Sequence, residues 1–212
     1  MARLRDYKLW HQQYDDPESD LSWRLRTVQG WIRRVLDERR GELRIVSACA
    51  GDGRDLLEVL SDRQDATRVS ATLIEIHPSI AGRAIEAAAG TAAGVEVRTL
   101  DAGFTDAYIG AVPADLVLLV GIFGNISETD VTRTVGASPQ LCSPGATRLW
   151  SRGRRHAADL NPKIRDQFAR AGFRELDYAT LDRGSWPAVG AMRYEGPPRP
   201  IKTGQHLFTF VR

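Results

Sequence analysis

The chain has 212 residues, of which 42% are hydrophobic and 26% charged, and its formal net charge at pH 7 is +2. This length suits one globular domain with a substantial core and argues against a second full domain. The small net charge, without a dense run of Lys and Arg among aromatic residues, argues against nucleic acid or an anionic membrane as a partner. No apolar stretch is long enough to cross a bilayer and no secretion signal is visible, so we expect a cytoplasmic protein. Two cysteines without a CxxC motif or a His/Cys cluster indicate reduced thiols and no metal site.

The first forty residues carry helix signals and no strand signal. Asp16 followed by Pro17 is typical of a helix start, and Gly41 is typical of the position after a helix. Apolar residues at helical spacing between them predict one buried face, while the arginines of the segment are expected to stay in solvent. The predicted buried residues are Leu21, Leu25, Val28, Ile32 and Val35, and the predicted exposed ones are Arg24, Arg26, Arg33 and Arg34.

Residues 43–60 are the most informative part of the chain. An apolar strand, with Ile45 and Val46 at its centre, runs into a turn that contains Gly51 and Gly53. After the turn, leucines recur at helical spacing. Because glycine lets a backbone turn sharply and approach a ligand, this strand, turn and helix predict a loop that binds a nucleotide cofactor.

The next predicted strands end in polar residues or glycine. Residues 69–75 end in Glu75, which lies roughly 20 residues beyond the glycines, where a carboxylate can accept hydrogen bonds from a ribose diol. The third strand, residues 95–100, leads into Asp101, and the fourth, residues 114–121, ends at Gly121. Since open α/β sheets bind ligands beyond the carboxyl ends of their strands, these residues are expected to share one site.

The glycine turn resembles the first motif of class I S-adenosylmethionine-dependent methyltransferases, in which an acidic residue precedes three alternating glycines. Gly51 and Gly53 match the last two glycines, whereas Cys49 stands in place of the first and Ser47 in place of the acidic residue. The resemblance covers four consecutive strand ends. It implies an α/β fold with a seven-stranded, mostly parallel, Rossmann-like sheet, helices on both faces and an N-terminal helical lid. Residues 1–40 would then be the lid and residues 41–212 the cofactor-binding methyltransferase domain.

The resemblance also implies S-adenosyl-L-methionine as the cofactor and a set of residues that contact it. In this family an acidic side chain after the third strand binds the adenine amino group, and the following backbone N–H binds the ring; Asp101 and Ala102 hold those positions here. The full set of expected cofactor-binding residues is Ser47, Ala50, Gly51, Asp52, Gly53, Glu75, Ile76, Asp101, Ala102 and Gly121.

The remainder of the chain continues the alternation of helices and strands. Ser127 and Asp130 have capping-box spacing and predict a helix start. A fifth strand over residues 146–152, a helix over 159–171 and a sixth strand over 173–181 are predicted next. The seventh strand is expected at residues 206–212, antiparallel to the fifth, after a long loop rich in Gly and Pro.

Four residues are candidates for catalysis. Residues 7–15 read as a short helix that carries His11 and Tyr14 on the predicted lid, and Asn125 follows the fourth strand. His156 lies in an Arg-rich loop after the fifth strand. A general base is required only when the acceptor is protonated, and His11, Tyr14 and His156 are the protonatable candidates, with Asn125 a candidate for orienting the acceptor.

We therefore predict a methyltransferase, of the EC 2.1.1 class, that acts on a small molecule, with oxygen expected as the acceptor atom. An RNA or protein methyltransferase is one alternative, although it would need a basic groove. A non-catalytic protein that binds S-adenosylmethionine or a partner is another, because the first motif is altered. A nicotinamide-dependent oxidoreductase is disfavoured, since the chain lacks GxGxxG. The oligomeric state and the acceptor are left open by the sequence.

Overall fold

A computed structural model describes Tyr14, residues 16–154 and residues 159–211. Its centre is a seven-stranded sheet in the order β3-β2-β1-β4-β5-β7-β6, which confirms the predicted fold class. The first five strands pair in parallel, and β7 is antiparallel to both β5 and β6. The strands are β1 (Leu43–Ala48), β2 (Val69–Ile74), β3 (Gly94–Arg98), β4 (Ala114–Leu119), β5 (Cys142–Gly153), β6 (Phe173–Thr180) and β7 (Pro187–Tyr194).

Helices cover both faces of the sheet because the central strands are apolar on both sides. In β1, Ile45 belongs to one hydrophobic cluster and Val46 to the other. The first cluster includes residues of α1 (Asp20–Glu38), α2 (Arg54–Ser61) and α3 (Pro78–Ala88), and the second includes residues of α4 (Glu128–Ala137) and α5 (Asn161–Arg170). Within the described residues, no helix is long and apolar enough to span a membrane.

The long N-terminal helix begins later than the sequence predicts. Ser19, not Asp16, caps α1, and its hydroxyl accepts a hydrogen bond from the Ser22 N–H at 3.0 Å. Asp16 instead accepts from the N–H of Glu18, so it stabilises a local turn before the helix. Three of the five residues on the predicted buried face are buried, and the other two, Leu21 and Leu25, are half-buried. Of the arginines expected in solvent, three are exposed, but Arg24 is half-buried.

The seventh strand is formed by a different segment from the predicted one. Residues 187–194, assigned to the loop by the sequence, are buried almost throughout and form the antiparallel partner of β5. In the described part of the predicted strand 206–212, residues 206–211, the pairing is limited to isolated bridges, Phe104 with His206 and Ile126 with Phe210. The C-terminal segment, residues 205–211, thus crosses the loops that follow β3 and β4 instead of joining the sheet.

Other local signals are confirmed. The Ser127 hydroxyl accepts from the Asp130 N–H at 3.1 Å and caps α4. Helix α5 has Pro162 in its first turn and begins two residues after Asp159, whose carboxylate accepts from the Asn161 N–H at 2.9 Å. An aspartate just before a helix can hold a free N–H without being helical itself, which explains the shift of the boundary.

Candidate active site

The turn between β1 and α2 is built on left-handed backbone. Cys49, Gly51 and Gly53 have φ values of +51°, +61° and +76°. The N–H of Ala50 donates to the Ile74 carbonyl at 2.9 Å, and the N–H of Gly53 donates to the Ala50 carbonyl at 3.0 Å. The first motif position, where the family has glycine, thus keeps a conformation that favours glycine although cysteine occupies it.

Gly53 is required by the packing beneath the turn. A β-carbon added there would lie 2.6 Å from Leu73 Cδ2 and 2.7 Å from Leu57 Cδ1, both far too close. Leu73 belongs to β2 and Leu57 to α2, so the missing side chain lets the helix begin directly against the sheet. The expected reason for this glycine was close approach of the ligand; its β-carbon position instead faces the core.

Glu75 organises the turn from the end of β2. It is buried, and its carboxylate accepts hydrogen bonds from the N–H of Gly51 at 3.0 Å and from the N–H of His77 at 2.9 Å. The predicted strand-end carboxylate and the predicted glycine turn are therefore in direct contact. A carboxylate has about four lone-pair sites, so two backbone bonds leave capacity for a ligand hydroxyl.

The carboxylates after β2 and β3 come together beside Cys49. Burial, followed by the charges of Glu75 and Asp101, raises the pKa of the Cys49 thiol well above its usual range, so the thiol is protonated and unreactive. Asp101 is exposed, and its Oδ1 accepts from the N–H of Gly103 at 2.7 Å. That bond makes Asp101 a turn-capping residue as well as a strand-end carboxylate.

Apolar side chains flank these carboxylates. Ile74 of β2 pairs with Arg98 of β3, and two residues beyond this pair lie Ile76 and Leu100, which are 53% and 47% exposed. Large aliphatic groups left in water at the carboxyl ends of adjacent strands form a surface suited to the flat face of a ring. The neighbouring Ala102 is buried.

The end of β4 carries the second half of the site. The N–H of Gly121 donates to the Ser151 hydroxyl of β5 at 2.8 Å, and the Asn125 side-chain amide donates to the Gly121 carbonyl at 2.8 Å. Arg152, the residue after Ser151, donates to the carbonyl of Phe123. The loop after β4 is thus closed on itself, with Asn125 half-buried beside the strand end.

Tyr14 reaches the glycine turn from the N-terminal segment. Its hydroxyl accepts a hydrogen bond from Arg24 Nη2 at 2.9 Å, and the Arg54 guanidinium lies 4.3 Å from the centre of its ring. Arg54 also pairs with Asp52 at 2.5 Å. Burial raises the pKa of Tyr14, so its hydroxyl stays protonated at neutral pH. Asp55, on the first turn of α2, has its pKa raised by burial, an effect that the charge of Arg24 opposes.

Sequence reasoning placed most of these groups but missed Arg24 and Ser151. The sequence prediction left Arg24 in solvent. Its spacing, three residues after Leu21 and four before Val28, puts it beside the apolar face of the helix and could have identified it. Ser151 lies within an apolar strand and only the register between β4 and β5 brings it to Gly121. Ser47, in place of the motif acid, is buried at 6% exposure near the end of β1.

The two predicted catalytic histidines, His11 and His156, lie outside the described residues. The described part of the chain contains no cluster of His, Cys, Asp or Glu that could hold a metal.

Comparisons with known proteins identify solved structures that have the same fold. No protein-family model and no curated protein matches the chain. Among solved structures, it is similar to magnesium protoporphyrin IX methyltransferase from Synechocystis PCC 6803 with bound S-adenosylmethionine, with a TM-score of 0.68, 13% identity, and 90% of this chain and 92% of that one covered.

Two further structures have the same fold. One is 1,6-didemethyltoxoflavin-N1-methyltransferase from Burkholderia thailandensis with bound 1,6-didemethyltoxoflavin and S-adenosylhomocysteine; the TM-score is 0.61, the identity 13% and the coverage 90% of this chain and 87% of that one. The other is the 4+2 cyclase SpnF, with a TM-score of 0.59, 16% identity, and 79% and 80% covered. The resemblance inferred from the sequence is therefore confirmed at the level of the fold: the chain has the Rossmann-like fold of class I methyltransferases.

Proposed function

We propose that this protein is an S-adenosylmethionine-dependent methyltransferase that acts on a small molecule, with oxygen as the acceptor atom. The observation that carries the proposal is the contact between Glu75 and the N–H of Gly51, which joins the strand-end carboxylate to the left-handed glycine turn. The two methyltransferases compared above have small-molecule acceptors in their names, which supports an acceptor of that class.

The described residues fit the cofactor. The carboxylate of Glu75 faces the turn and retains lone pairs for a ribose diol, while Ile76 and Asp101 supply an apolar surface and a carboxylate for the adenine. Ser47, Ala50, Asp52, Gly53, Ala102 and Gly121 complete the set, with a hydroxyl at Ser47 in place of the family's carboxylate. When bound, S-adenosylmethionine supplies a methyl group on a positively charged sulfur.

The protein's own part in the reaction is to hold the acceptor and exclude water. Positioning of two reactants can carry most of the rate of a displacement reaction. Asn125 stands at the end of β4 with its amide fixed by the Gly121 carbonyl, so its side-chain oxygen has a set direction. Tyr14, kept protonated by burial, suits a hydrogen-bond donor better than a base. Any side-chain base would then come from His11 or His156, as the sequence predicts.

The first experiment is calorimetric titration with S-adenosylhomocysteine. We expect binding by the wild type and a loss of about 1.5 to 3 kcal/mol in Glu75→Ala, the usual worth of hydrogen bonds to a charged group. Glu86→Ala is the matched control, because Glu86 is exposed on α3. Unchanged affinity in a folded Glu75→Ala protein would refute the ribose assignment. Incubation with S-adenosylmethionine and a pool of hydroxylated metabolites, followed by mass spectrometry, then tests methyl transfer.

A second candidate is a protein that uses the same cofactor site without transferring a methyl group. Two observations favour it: Ser47 and Cys49 replace two residues of the first motif, and one protein with this fold is named a cyclase. Saturable binding of S-adenosylhomocysteine, with no methylated product from any acceptor pool, would support this candidate over the first.

A further inference from the structure

Trp186 is an exposed aromatic residue in a backbone conformation that disfavours large side chains. It has a φ of +53° and is 43% exposed. A positive φ is uncommon for residues other than glycine and is an outlier for a bulky one. Such a conformation persists only where the surrounding structure holds it, and it occurs mainly at sites that act on or clamp a ligand. Trp186 is therefore a candidate for ligand contact.

The surroundings of Trp186 hold it in place. Its N–H donates to the Arg183 carbonyl at 2.9 Å, and its carbonyl accepts from the Arg154 N–H at 2.9 Å. The guanidinium carbon of Arg154 also lies 5.4 Å from the centre of the indole ring. Both the backbone and the ring of Trp186 are thus fixed against the residues that follow β5.

The loop that carries Trp186, residues 181–186, is fastened to the start of the N-terminal helix. Arg183 pairs with the Glu18 carboxylate at 2.9 Å, and the Ser185 N–H donates to the carboxylate of Asp20. A β-carbon on Gly184 would collide with that same carboxylate, so the glycine permits the close approach. The loop is thereby held from a second element besides the sheet.

The fold places Trp186 at the same edge of the sheet as the proposed acceptor site. Pro187, the next residue, begins β7 and pairs with Gly153 at the end of β5. The hydroxyl of Ser151 in β5 binds the end of β4, where Asn125 is fixed. Neighbouring strands lie about 4.8 Å apart, so β7 is roughly 10 Å from β4 across the sheet. An acceptor oriented by Asn125 is thus within reach of Trp186.

The charges around the indole favour an uncharged partner. The Arg154 guanidinium donates to the carboxylate of Asp182 and, at 3.3 Å, to the Leu181 carbonyl. Its charge is therefore matched by a neighbouring carboxylate rather than offered to a ligand. The indole itself offers apolar area and a π-face, on which aromatic rings stack in offset or tilted arrangements. A flat conjugated ring gains from both, whereas a saturated ring gains only from the apolar area.

We propose that Trp186 stacks against the methyl acceptor, and that the acceptor is an uncharged compound whose hydroxyl group is carried by a flat aromatic ring. This assignment rests on the proposed function and names the substrate class of the same site. In the transfer, the acceptor oxygen bonds to the methyl carbon as the carbon–sulfur bond breaks. The electron pair of that bond stays on the sulfur, and the hydroxyl proton leaves to water. Trp186 acts by holding the ring that carries the oxygen.

The test compares aromatic with saturated acceptors of the same shape. The protein is incubated with S-adenosylmethionine and a pool of phenols and matched saturated alcohols, including 2-naphthol and decahydro-2-naphthol, which share one carbon skeleton. Mass spectrometry identifies the methylated products, and kcat and KM are measured on the best acceptor. The variants are Trp186→Phe, Trp186→Leu and the control Ile85→Ala, which removes an exposed apolar side chain from α3. Thermal unfolding and titration with S-adenosylhomocysteine check the fold and the cofactor site of each variant.

We expect methylation of phenols over their saturated counterparts. Trp186→Leu should raise the KM of the aromatic acceptor by roughly 5- to 100-fold, the range that loss of ring stacking covers, with kcat little changed. Trp186→Phe keeps a flat ring and should stay within about threefold of the wild type, as should Ile85→Ala. S-adenosylhomocysteine affinity should be unchanged in all three variants.

Two results would overturn the assignment while leaving the proposed function intact. One is preferential methylation of saturated alcohols, and the other is an unchanged KM in Trp186→Leu. Saturable binding of S-adenosylhomocysteine without any methylated product would overturn the assignment together with methyl transfer. Failure of the wild type to bind S-adenosylhomocysteine would overturn the cofactor site itself.

Discussion

Replacement of Gly53 by alanine should destabilise the fold. The added β-carbon would lie 2.6 Å and 2.7 Å from Leu73 and Leu57, and both leucines are almost fully buried, so that moving either one disturbs the packed core. Overpacking of this kind costs about 1 to 3 kcal/mol. The φ of +76° adds about 1 to 2 kcal/mol for any residue with a β-carbon. We therefore expect Gly53→Ala to lower the free energy of unfolding by about 2 to 5 kcal/mol.

Urea unfolding followed by tryptophan fluorescence measures this loss. Gly30→Ala is the matched control, since Gly30 lies in α1 and a β-carbon there would meet nothing within 4 Å. That control should gain about 0.5 to 1 kcal/mol from helix propensity. A loss below about 1 kcal/mol in Gly53→Ala would show that α2 can shift away from β2, and the packing argument would be refuted. The bulkier Gly53→Val should destabilise the fold more than Gly53→Ala, because its side chain adds further atoms beside Leu73 and Leu57.

Two further predictions concern buried charges. Arg148 is fully buried in β5, and none of its guanidinium nitrogens makes an ordinary hydrogen bond within the described residues. Arg148→Met should therefore raise the free energy of unfolding in urea by about 1 to 4 kcal/mol. A lower free energy of unfolding in the variant would indicate that the charge is compensated. Burial raises the pKa of Asp55 above that of an unfolded aspartate, so the folded state keeps a proton that the unfolded chain has released. The free energy of unfolding should therefore fall as pH rises from the pKa of an unfolded aspartate to the higher pKa of folded Asp55, and Asp55→Asn should make this pH dependence weaker. A free energy of unfolding that instead rises with pH over this range, with the rise absent in the variant, would contradict a raised pKa.

The parts of the fold that the sequence predicts are those set by local patterns. The strand, glycine turn and helix around Gly51 follow from hydrophobic periodicity and the φ values that glycine allows, and Glu75 follows from its distance along the chain. The seventh strand was misplaced because Pro187 and Gly190 read as loop residues. Gly190 is instead a strand residue opposite Trp150, where any β-carbon would collide with the indole.

Arg24 shows what a one-dimensional pattern cannot give. Helical spacing puts it beside Leu21 and Val28, at the edge of the apolar face, so its half-buried position can be predicted. Its partners cannot, because only the placement of α1 across the end of β4 brings Gly121 and Tyr14 to it. Such contacts depend on how elements lie against one another, for which the sequence of a single chain carries no direct signal.

The C-terminal segment links two loops to which the proposed function gives separate tasks. The Leu207 N–H donates to the Gly103 carbonyl at 2.7 Å, and the Val211 N–H donates to the Asn125 carbonyl at 2.8 Å. The loop that bears Asp101 and the loop that bears Asn125 are thus fastened to one short stretch of backbone. Opening of either loop must strain or release the same stretch, so the two ends of the site share a single local unfolding event. Vacating the adenine side and admitting an acceptor would then be mechanically coupled motions rather than independent ones.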